Sequence, residues 1–440
     1  MVDRVNYAYV KLWGEIVGAV AWQGDAQTGY GTFEYDPSFL RRNYDVSPLR
    51  MPISDAGALY EFRSRNQDLD LDTFKGLPGL LADSLPDKFG NRVIDSWLAR
   101  QGRDASSFSP VERLCYTGNR GMGALEYSPS LNNNLDATTP VEIAKLVELA
   151  HTVITRQEVL DVSVNDEQQD SDALLEMLRV GTSAGGARAK AVIAMNNDGH
   201  ILSGQTDVPA GYEHWLLKFD GTDDLELQKT QGFGRIEYAY HLMARAADID
   251  MTECRLFEES GRAHFMTKRF DRSVGQKIHM QTLCGIAHYD YNQPGAYGYE
   301  QAFAVMRQLG LSKLEAIQQF RRMVFNVVAR NQDDHTKNIA FLMDQSGQWR
   351  LSPAYDVTFS HNPGGTWTNE HQMTINGKQD GFSLEDLQAV GQSISIKKPL
   401  EIIEEVIDAV KQWPEFAREA EIERTVADRI ANYHRLAFEK

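Results

Sequence analysis

The chain has 440 residues, a length that suggests roughly two to four domains or subdomains. Its 45 Lys and Arg residues against 62 Asp and Glu residues give a formal net charge of −17, which argues against a general nucleic-acid binder and against a membrane-surface protein. With 42% hydrophobic and 24% charged residues, the composition is that of an ordinary globular protein, so wholesale disorder is excluded.

The three cysteines, Cys115, Cys254 and Cys284, are odd in number and widely spaced. This favours neither a disulfide framework nor a zinc site, and it indicates a reducing compartment. The first residues show no apolar run behind a basic start, and no apolar stretch approaches the ~20 residues of a membrane span. We therefore expect a cytoplasmic protein without a membrane partner.

Alternating apolar residues and turn signals predict strands, and apolar residues spaced three and four apart predict helices. The predicted strands are residues 7–12, 15–22, 32–35, 192–194, 214–219, 255–257 and 263–268, followed by a hairpin of residues 339–343 and 349–351. The predicted helices are residues 87–101, 140–154, 236–247 and 314–328, with a helical tail over 384–438. The polar segment 128–139 predicts a linker between domains.

The most informative stretch is the polar loop Asn331-Gln332-Asp333-Asp334-His335-Thr336-Lys337-Asn338, between a predicted buried helix and a predicted strand. Asp333 and Asn338 have the separation of the catalytic Asp and the magnesium-binding Asn of the protein-kinase catalytic loop. Asp356 follows the predicted hairpin, which returns it to the same end of the sheet, and its oxygens suit a second magnesium ligand. The alternative is a solvated polar loop that caps a helix.

Lys218 lies on a predicted strand among apolar neighbours, where an ammonium group needs a partner. The kinase interpretation pairs it with ATP phosphates and with a helix acid, Glu237. The alternatives are a lysine whose ammonium reaches solvent from the strand end, and an acid favoured in the first turn of a helix.

A run of small residues, Gly181-Thr182-Ser183-Ala184-Gly185-Gly186-Ala187, precedes Arg188 and Lys190. It is not a Walker A loop, since no Gly-Lys-Ser/Thr follows it. Backbone N–H groups reach an anion where no Cβ intervenes, so this run and the two basic side chains predict a phosphate contact. The alternative is a flexible solvent loop.

Two further chemistries receive little support. The eleven His residues form no H-E-x-x-H motif. The acidic neighbours of His335 leave a metal-dependent phosphohydrolase open, but we expect its imidazole to orient the loop by hydrogen bonding. Cys284 and His288 are four residues apart in a helix-like stretch, which favours core packing over a nucleophile and base.

The ordered motifs of the chain resemble those of the HipA family of bacterial toxin kinases, nearly from end to end. They are Leu85-Pro86-Asp87-Lys88-Phe89-Gly90-Asn91-Arg92, Gly121-Met122-Gly123-Ala124-Leu125, Arg269-Phe270-Asp271-Arg272, Asp333-Asp334-His335-Thr336-Lys337-Asn338, Ala354-Tyr355-Asp356 and Thr374-Ile375-Asn376-Gly377-Lys378. The resemblance implies an α+β, protein-kinase-like two-lobed fold. It divides the chain into a β-containing N-terminal subdomain at 1–130, an ATP-binding portion of the N-lobe at 131–275 and a helical C-lobe at 276–440.

The resemblance also implies a serine/threonine protein kinase that uses ATP and Mg²⁺. Carried over residue by residue, it makes Asp333 the catalytic base, Asn338 and Asp356 the magnesium ligands, and Lys218 a contact of the ATP phosphates. The remaining nucleotide contacts would be the backbone of Lys268 and Phe270 at the adenine, together with Ala184, Gly185, Gly186, Ala187, Arg188, Lys190 and His335.

Regulation and partners come from the same resemblance. Ser183 matches the family's autophosphorylated serine, whose modification ejects the phosphate loop and abolishes ATP binding; the alternative is an unmodified turn serine. Family targets are aminoacyl-tRNA synthetases, and the usual partner is a HipB-like helix-turn-helix antitoxin that carries the contact with operator DNA. A catalytically weak, kinase-like corepressor acting with that antitoxin is the alternative function.

The sequence departs from the family pattern at two positions. Arg188 replaces the usual Gln of the phosphate loop. Asp334 replaces the small residue after the catalytic Asp, which adds negative charge beside the metal site and makes two neighbouring acids candidates for the base. The spacing to Asn338 favours Asp333.

Overall fold

The structure is a computed structural model that describes residues 4–42, 44–55, 57–63, 69–131, 138–155, 177, 180, 188–222, 232–273 and 275–438. The chain divides into two compact units. The first consists of Met1–Ser47, Met51–Gln231 and Arg255–Met280, and the second of Pro48–Arg50, Gly232–Cys254 and Gln281–Lys440. The predicted regions 1–130 and 131–275 thus share most of one unit, and the predicted three-part division stays a prediction.

The first unit is built on two five-stranded sheets among its described residues. Strand order in the first sheet is Tyr60–Glu61, Tyr30–Tyr35, Glu15–Gln23, Tyr7–Leu12, Leu125–Ser128. In the second it is Ile201–Ser203, Lys190–Asn196, Tyr212–Lys218, Arg262–Lys268, Cys254–Glu259, and a ribbon pairs Arg272–Ser273 with Gln276–Lys277. The α-helices are Leu71–Phe74, Gly79–Ala82, Lys88–Arg100, Pro110–Thr117 and Ile143–Thr155, with 3₁₀ turns at Phe39–Arg41, Ile53–Asp55 and Ala105–Ser107.

The predicted N-terminal hairpin is confirmed, and its turn explains its register. Trp13 and Gly14 have φ angles of 50° and 82°, the two positive values that a type I′ hairpin turn requires. Leu12 therefore pairs with Glu15, and even-numbered residues of the strand Tyr7–Leu12 point into the core.

The second sheet carries the predicted nucleotide lysine. Its register places Lys190 opposite Lys218 on neighbouring antiparallel strands. Alternate residues on the other face, among them Ile193, Trp215 and Leu217, are buried in a core shared with the helix Lys88–Arg100. Because side chains alternate between the two faces of a strand, the register places the two lysines on the face opposite Ile193, Trp215 and Leu217.

The second unit is mainly helical, as predicted. Its described helices are Phe233–Ala246, Leu283–Ala287, Tyr299–Gln308, Lys313–Val328, Leu384–Ser393, Pro399–Lys411, Trp413–Glu419 and Arg424–Tyr433. A small sheet orders the strands His279–Thr282, Ala340–Met343 and Trp349–Leu351, and a 3₁₀ turn spans Thr336–Asn338. The predicted helical tail thus consists of four shorter helices. No helix within the described part of the chain is long and apolar enough to cross a membrane.

Candidate active site

The helix Lys313–Val328 delivers the chain into the predicted catalytic loop. Its buried stripe anchors it in the core, and the carbonyl of Ala329, just past its end, accepts a hydrogen bond from the Tyr240 hydroxyl at 2.6 Å. Arg330 has a φ of 58°, so the chain turns sharply away from the helix axis. The loop therefore starts from a fixed point.

Asn338 closes the loop onto itself. Its side-chain Nδ2 donates to the backbone carbonyl of Asp333 at 2.7 Å, across the 3₁₀ turn Thr336–Asn338. The two residues singled out by their spacing are thus in contact. This hydrogen bond uses the amide NH₂ of Asn338 and leaves its carbonyl oxygen as the group suited to a cation.

The two neighbouring acids of the loop have opposite environments. The side chain of Asp333 is 47% exposed, whereas that of Asp334 is 1% exposed. A general base must be reachable by the acceptor hydroxyl, and a fully buried carboxylate is not. The geometry therefore agrees with the spacing in favouring Asp333.

Asp334 is held by three donors inside the second unit. One carboxylate oxygen accepts from the Tyr299 hydroxyl at 2.8 Å and from Nδ1 of His371 at 2.9 Å. The other accepts from the backbone N–H of Gln372 at 2.8 Å. Burial would raise the pKa of Asp334, but the neighbouring His371 and these hydrogen bonds lower it below its usual value. Asp334 is therefore a buried, ionised structural anchor.

The hairpin brings Asp356 to the same cavity as Asn338. Asn338, Asp334, His335 and Asp356 all line it. The Tyr355 hydroxyl donates to the carbonyl of Lys337, which ties the segment after the hairpin to the loop. Asp356 itself has a φ of 55°, a left-handed conformation that Asp tolerates better than most residues and that is enriched at functional sites.

His335 packs in the loop without the predicted orienting hydrogen bond. Its Nε2 lies 3.9 Å from the Asp333 carboxylate, which is too long for one. Its ring meets the ring of Tyr291 edge-on, with centroids 5.4 Å apart. Its Nδ1 is buried and has no hydrogen-bond partner within the part of the chain that the structure describes. Its assignment to nucleotide binding stays a prediction.

The side-chain oxygens of Asn338 and Asp356 suit magnesium. Asn338 and Asp356 supply oxygen ligands at one cavity, and Mg²⁺ commonly takes one or two such side chains and completes its shell with phosphate oxygens and water. No group of three or more His, Cys, Asp and Glu side chains that could hold a metal occurs in the described ranges.

The first unit carries the predicted nucleotide contacts Lys218 and Lys268 on neighbouring strands. The Lys218 ammonium lies 5.8 Å from the ring centroid of Phe265, its partner in the register. The Lys268 ammonium forms an ion pair with Glu213, so its side chain is engaged with the protein and only its backbone is the predicted adenine contact. Phe270 lies two residues beyond the end of the strand Arg262–Lys268.

Lys190, predicted to contact phosphate, is buried in an ion pair. Its ammonium lies 2.9 Å from the Asp87 carboxylate, and both side chains are less than a tenth exposed. Asp87 also caps the helix Lys88–Arg100 by accepting from the N–H of Gly90. Ser183 and the predicted loop residues Ala184, Gly185, Gly186 and Ala187 lie outside the described residues, and Arg188 follows directly after them.

A buried ionic cluster joins two of the family motifs within the first unit. Asp271 is fully buried and accepts from Arg269 at 2.6 and 2.8 Å, from Arg272 at 2.7 Å, and from the N–H of Gly123 at 2.7 Å. Both arginines in turn reach the carbonyl of Gly121. The motif Arg269-Phe270-Asp271-Arg272 therefore fixes the glycine-rich turn near residue 121.

Sequence reasoning missed the partners of Asp334. Tyr299, His371 and Gln372 are 35 to 38 residues from it in the chain. The one available signal was Thr374-Ile375-Asn376-Gly377-Lys378, the family motif that begins two residues after Gln372. This motif marks the part of the chain next to His371 and Gln372, but it does not indicate their hydrogen bonds to Asp334.

Comparison with known proteins identifies the family of the chain. The family model of the HipA-like C-terminal domain matches residues 182–413, and that of the HipA N-terminal domain matches residues 8–128. The Sinorhizobium fredii (strain NBRC 101917 / NGR234) protein named "Putative kinase Y4mE" is 23% identical over 273 residues, which span 58% of this chain and 57% of that protein. The chain thus aligns with little more than half the length of this relative.

The fold is also that of a solved HipA structure. The Shewanella oneidensis MR-1 toxin–antitoxin system HipA, HipB and its operator DNA complex matches with a TM-score of 0.64 at 14% identity, covering 97% of this chain and 94% of that chain. The Helicobacter pylori proinflammatory kinase CtkA matches at 14% identity with a TM-score of 0.32 over 50% of this chain and 88% of that chain.

The fold is that of an α+β protein with a β-containing N-terminal subdomain and a helical unit. In the helical unit, Asn338 and Asp356 line one cavity, and the exposed Asp333 is bonded to Asn338 through its backbone carbonyl. Because the C-terminal family model covers more than half of the sequence, the chain belongs to the HipA family.

Proposed function

We propose that this protein is a serine/threonine protein kinase that transfers the γ-phosphate of ATP to a protein substrate. The observation that carries the proposal is the contrast within the loop: Asp333 is half exposed and bonded to Asn338, while Asp334 is fully buried. Phosphoryl transfer needs one reachable base and oxygen ligands for magnesium close by. Asp356 at the same cavity supplies the second ligand.

In this proposal each group has one task. Asp333 accepts the proton of the acceptor hydroxyl and orients that oxygen for attack. Asn338 and Asp356 hold magnesium, which neutralises charge on the phosphates when it is bound. Lys218 contributes a positive charge to phosphate binding. The Asp333 carboxylate thus positions the acceptor, while the Asn338 amide and the Asp356 carboxylate bind the metal.

We further propose that the kinase is the toxin of a toxin–antitoxin system. Family membership and the likeness of fold to a HipA in complex with HipB and operator DNA support a helix-turn-helix antitoxin partner, with operator DNA contacted mainly through that partner. The proposed substrate class is aminoacyl-tRNA synthetases. Phosphorylation of Ser183 by the kinase itself is the proposed route of self-inactivation, because the added −1.5 to −2 charges repel the ATP phosphates.

The test is incubation with labelled ATP and magnesium, with the wild-type protein beside Asp333→Asn. We expect label on protein only with the wild type and only when magnesium is present, while both proteins bind ATP. Equal labelling by the two proteins would refute the assignment of the base. ATP binding without any transfer by the wild type would instead support the corepressor alternative.

A further inference from the structure

Asp334 is buried, and both of its carboxylate oxygens accept hydrogen bonds. It lies directly after Asp333, so whatever holds Asp334 also sets the direction of the Asp333 backbone. We propose that Asp334 is a positioning residue, which fixes the catalytic loop to the segment Trp367–Gln372 and thereby places the Asp333 carboxylate at the acceptor hydroxyl. This inference rests on the proposed function and deepens it.

The contacts of Asp334 reach two different elements. Tyr299 begins the helix Tyr299–Gln308, while His371 and Gln372 lie on the segment beyond Asp356. The Tyr299 hydroxyl is itself fixed, because it accepts from Asn326 Nδ2 at 3.0 Å on the helix that enters the loop. Asp334 therefore bonds to groups on both sides of the loop.

The segment Trp367–Gln372 contains a hydrogen bond between its own first and last residues. Gln372 donates from its backbone N–H to Asp334, and from its side-chain amide to the carbonyl of Trp367. His371 is fully buried and stacks edge-on against Phe382 with centroids 5.3 Å apart. The loop is thus attached to the two buried residues at the end of this segment, His371 and Gln372, while Trp367 at its start is 52% exposed.

A second attachment acts on the peptide group that joins Asp333 to Asp334. Asn338 donates to the carbonyl of Asp333, so this peptide group is held at its oxygen by Asn338 and through the side chain of Asp334 just beyond it. The carboxylate of Asp333 itself is 47% exposed. Such preorganisation matters because a displacement of about 1 Å at a reacting group can reduce the rate about 100-fold.

The charge of Asp334 suits this role better than a neutral group. Its two oxygens accept three N–H and O–H donors, which a carboxylate satisfies at once. Asn at this position would offer one oxygen and would turn an NH₂ group toward donors. Ala would leave all three donors unpaired, and the loop would lose its attachment while Asp333 itself stayed chemically intact.

The experiment compares Asp334→Asn and Asp334→Ala with a matched control, Asp386→Asn. Asp386 is also buried and accepts from Lys378 at 2.7 Å and from Asn376 at 2.8 Å in the same unit, so it reports the cost of losing a buried carboxylate. The readouts are kcat and KM for the labelled acceptor, magnesium-dependent ATP affinity, and amide hydrogen exchange of residues 331–338.

We expect kcat to fall about 10- to 100-fold in Asp334→Asn and further in Asp334→Ala, with ATP affinity unchanged and faster exchange confined to the loop and to residues 371–372. Asp386→Asn should keep the kcat and the loop exchange of the wild type. Wild-type kcat in both Asp334 variants would overturn the inference, as would a parallel loss of kcat in all three variants.

The same measurements separate this inference from the proposed function. If the wild type transfers no phosphate, the kinase proposal fails, and hydrogen exchange still reports whether Asp334 holds the loop. Unchanged exchange in Asp334→Ala would then refute the anchor as well. Tyr299→Phe removes one donor while keeping Asp334, so it guards against failure of the Asp334 variants to fold. Tyr299→Phe should lower kcat by less than Asp334→Asn does, because it removes only one of the three donors. A larger loss would contradict the expectation that kcat falls with the number of hydrogen bonds lost.

Discussion

The buried cluster around Asp271 offers a test of what holds the first unit together. We consider Asp271→Asn, which keeps the side-chain volume and removes the charge. In the wild type the carboxylate neutralises two guanidinium groups that are themselves less than a tenth exposed, and it pairs the N–H of Gly123. In the variant Arg269 and Arg272 lose the carboxylate that they share.

The magnitude follows from the environment. Removing one partner of a buried ion pair costs about 3–5 kcal/mol, because a charge is left desolvated and unpaired. Burial alone would raise the pKa of Asp271, but Arg269 and Arg272 hold it below its usual value. A depressed pKa means that the stabilisation is complete above the unfolded-state pKa of about 3.9 and is lost as the pH falls below it.

The assay is urea unfolding of the wild type, of Asp271→Asn and of a control, Asp95→Asn. Asp95 makes a single ion pair with Arg113 at 2.8 Å and is 39% exposed, so its loss should cost only about 0.2–1 kcal/mol. We expect the free energy of unfolding of Asp271→Asn to lie about 3–5 kcal/mol below that of the wild type from pH 5 to 8, with the difference shrinking below about pH 4. Equal costs for the two variants would refute the argument from burial.

The remaining predictions concern the proposed reaction. Asp333→Ala should abolish phosphoryl transfer, measured with labelled ATP, while ATP affinity and the melting temperature stay those of the wild type. Asn338→Ala and Asp356→Ala should each weaken magnesium-dependent ATP binding measured by calorimetry, and unchanged binding in Asp356→Ala would remove it from the metal site. Lys218→Ala should raise the KM for ATP. Mass spectrometry of protein made in cells should find phosphate on Ser183, and this modified form should not bind ATP; normal ATP binding by it would refute self-inactivation.

Much of the fold could be predicted from local patterns. The helix Lys313–Val328 is encoded by apolar residues at spacings of three and four and by Ser312 with Glu315, which form a capping box. The hairpin after the loop follows from two short apolar runs around a glycine turn. Each of these signals lies within the element that it specifies, which is why a single sequence suffices.

The distinction between the two acids of the loop could not be derived in the same way. Spacing favours Asp333, but the burial of Asp334, which argues against it as the base, comes from groups 35 to 38 residues away. Likewise, the pairing of Asp271 with Gly123 spans 148 residues. Periodicity reports which face of an element is buried, and it carries no information on which distant donor meets a given carboxylate.

Lys190 has a partner within the protein, and its predicted phosphate contact stays a prediction. It follows the glycine-rich run, and its charge suggested a phosphate contact, yet its ammonium is buried against Asp87. The register explains why an anion is needed there: Lys190 lies opposite Lys218, and two like charges at paired positions destabilise a sheet. Asp87, from the motif Leu85-Pro86-Asp87, neutralises Lys190 and also caps the helix that follows it. The ion pair thus lets the sheet carry Lys218 beside a second lysine, so the N-terminal motif supports the proposed phosphate contact of Lys218 from within the same unit.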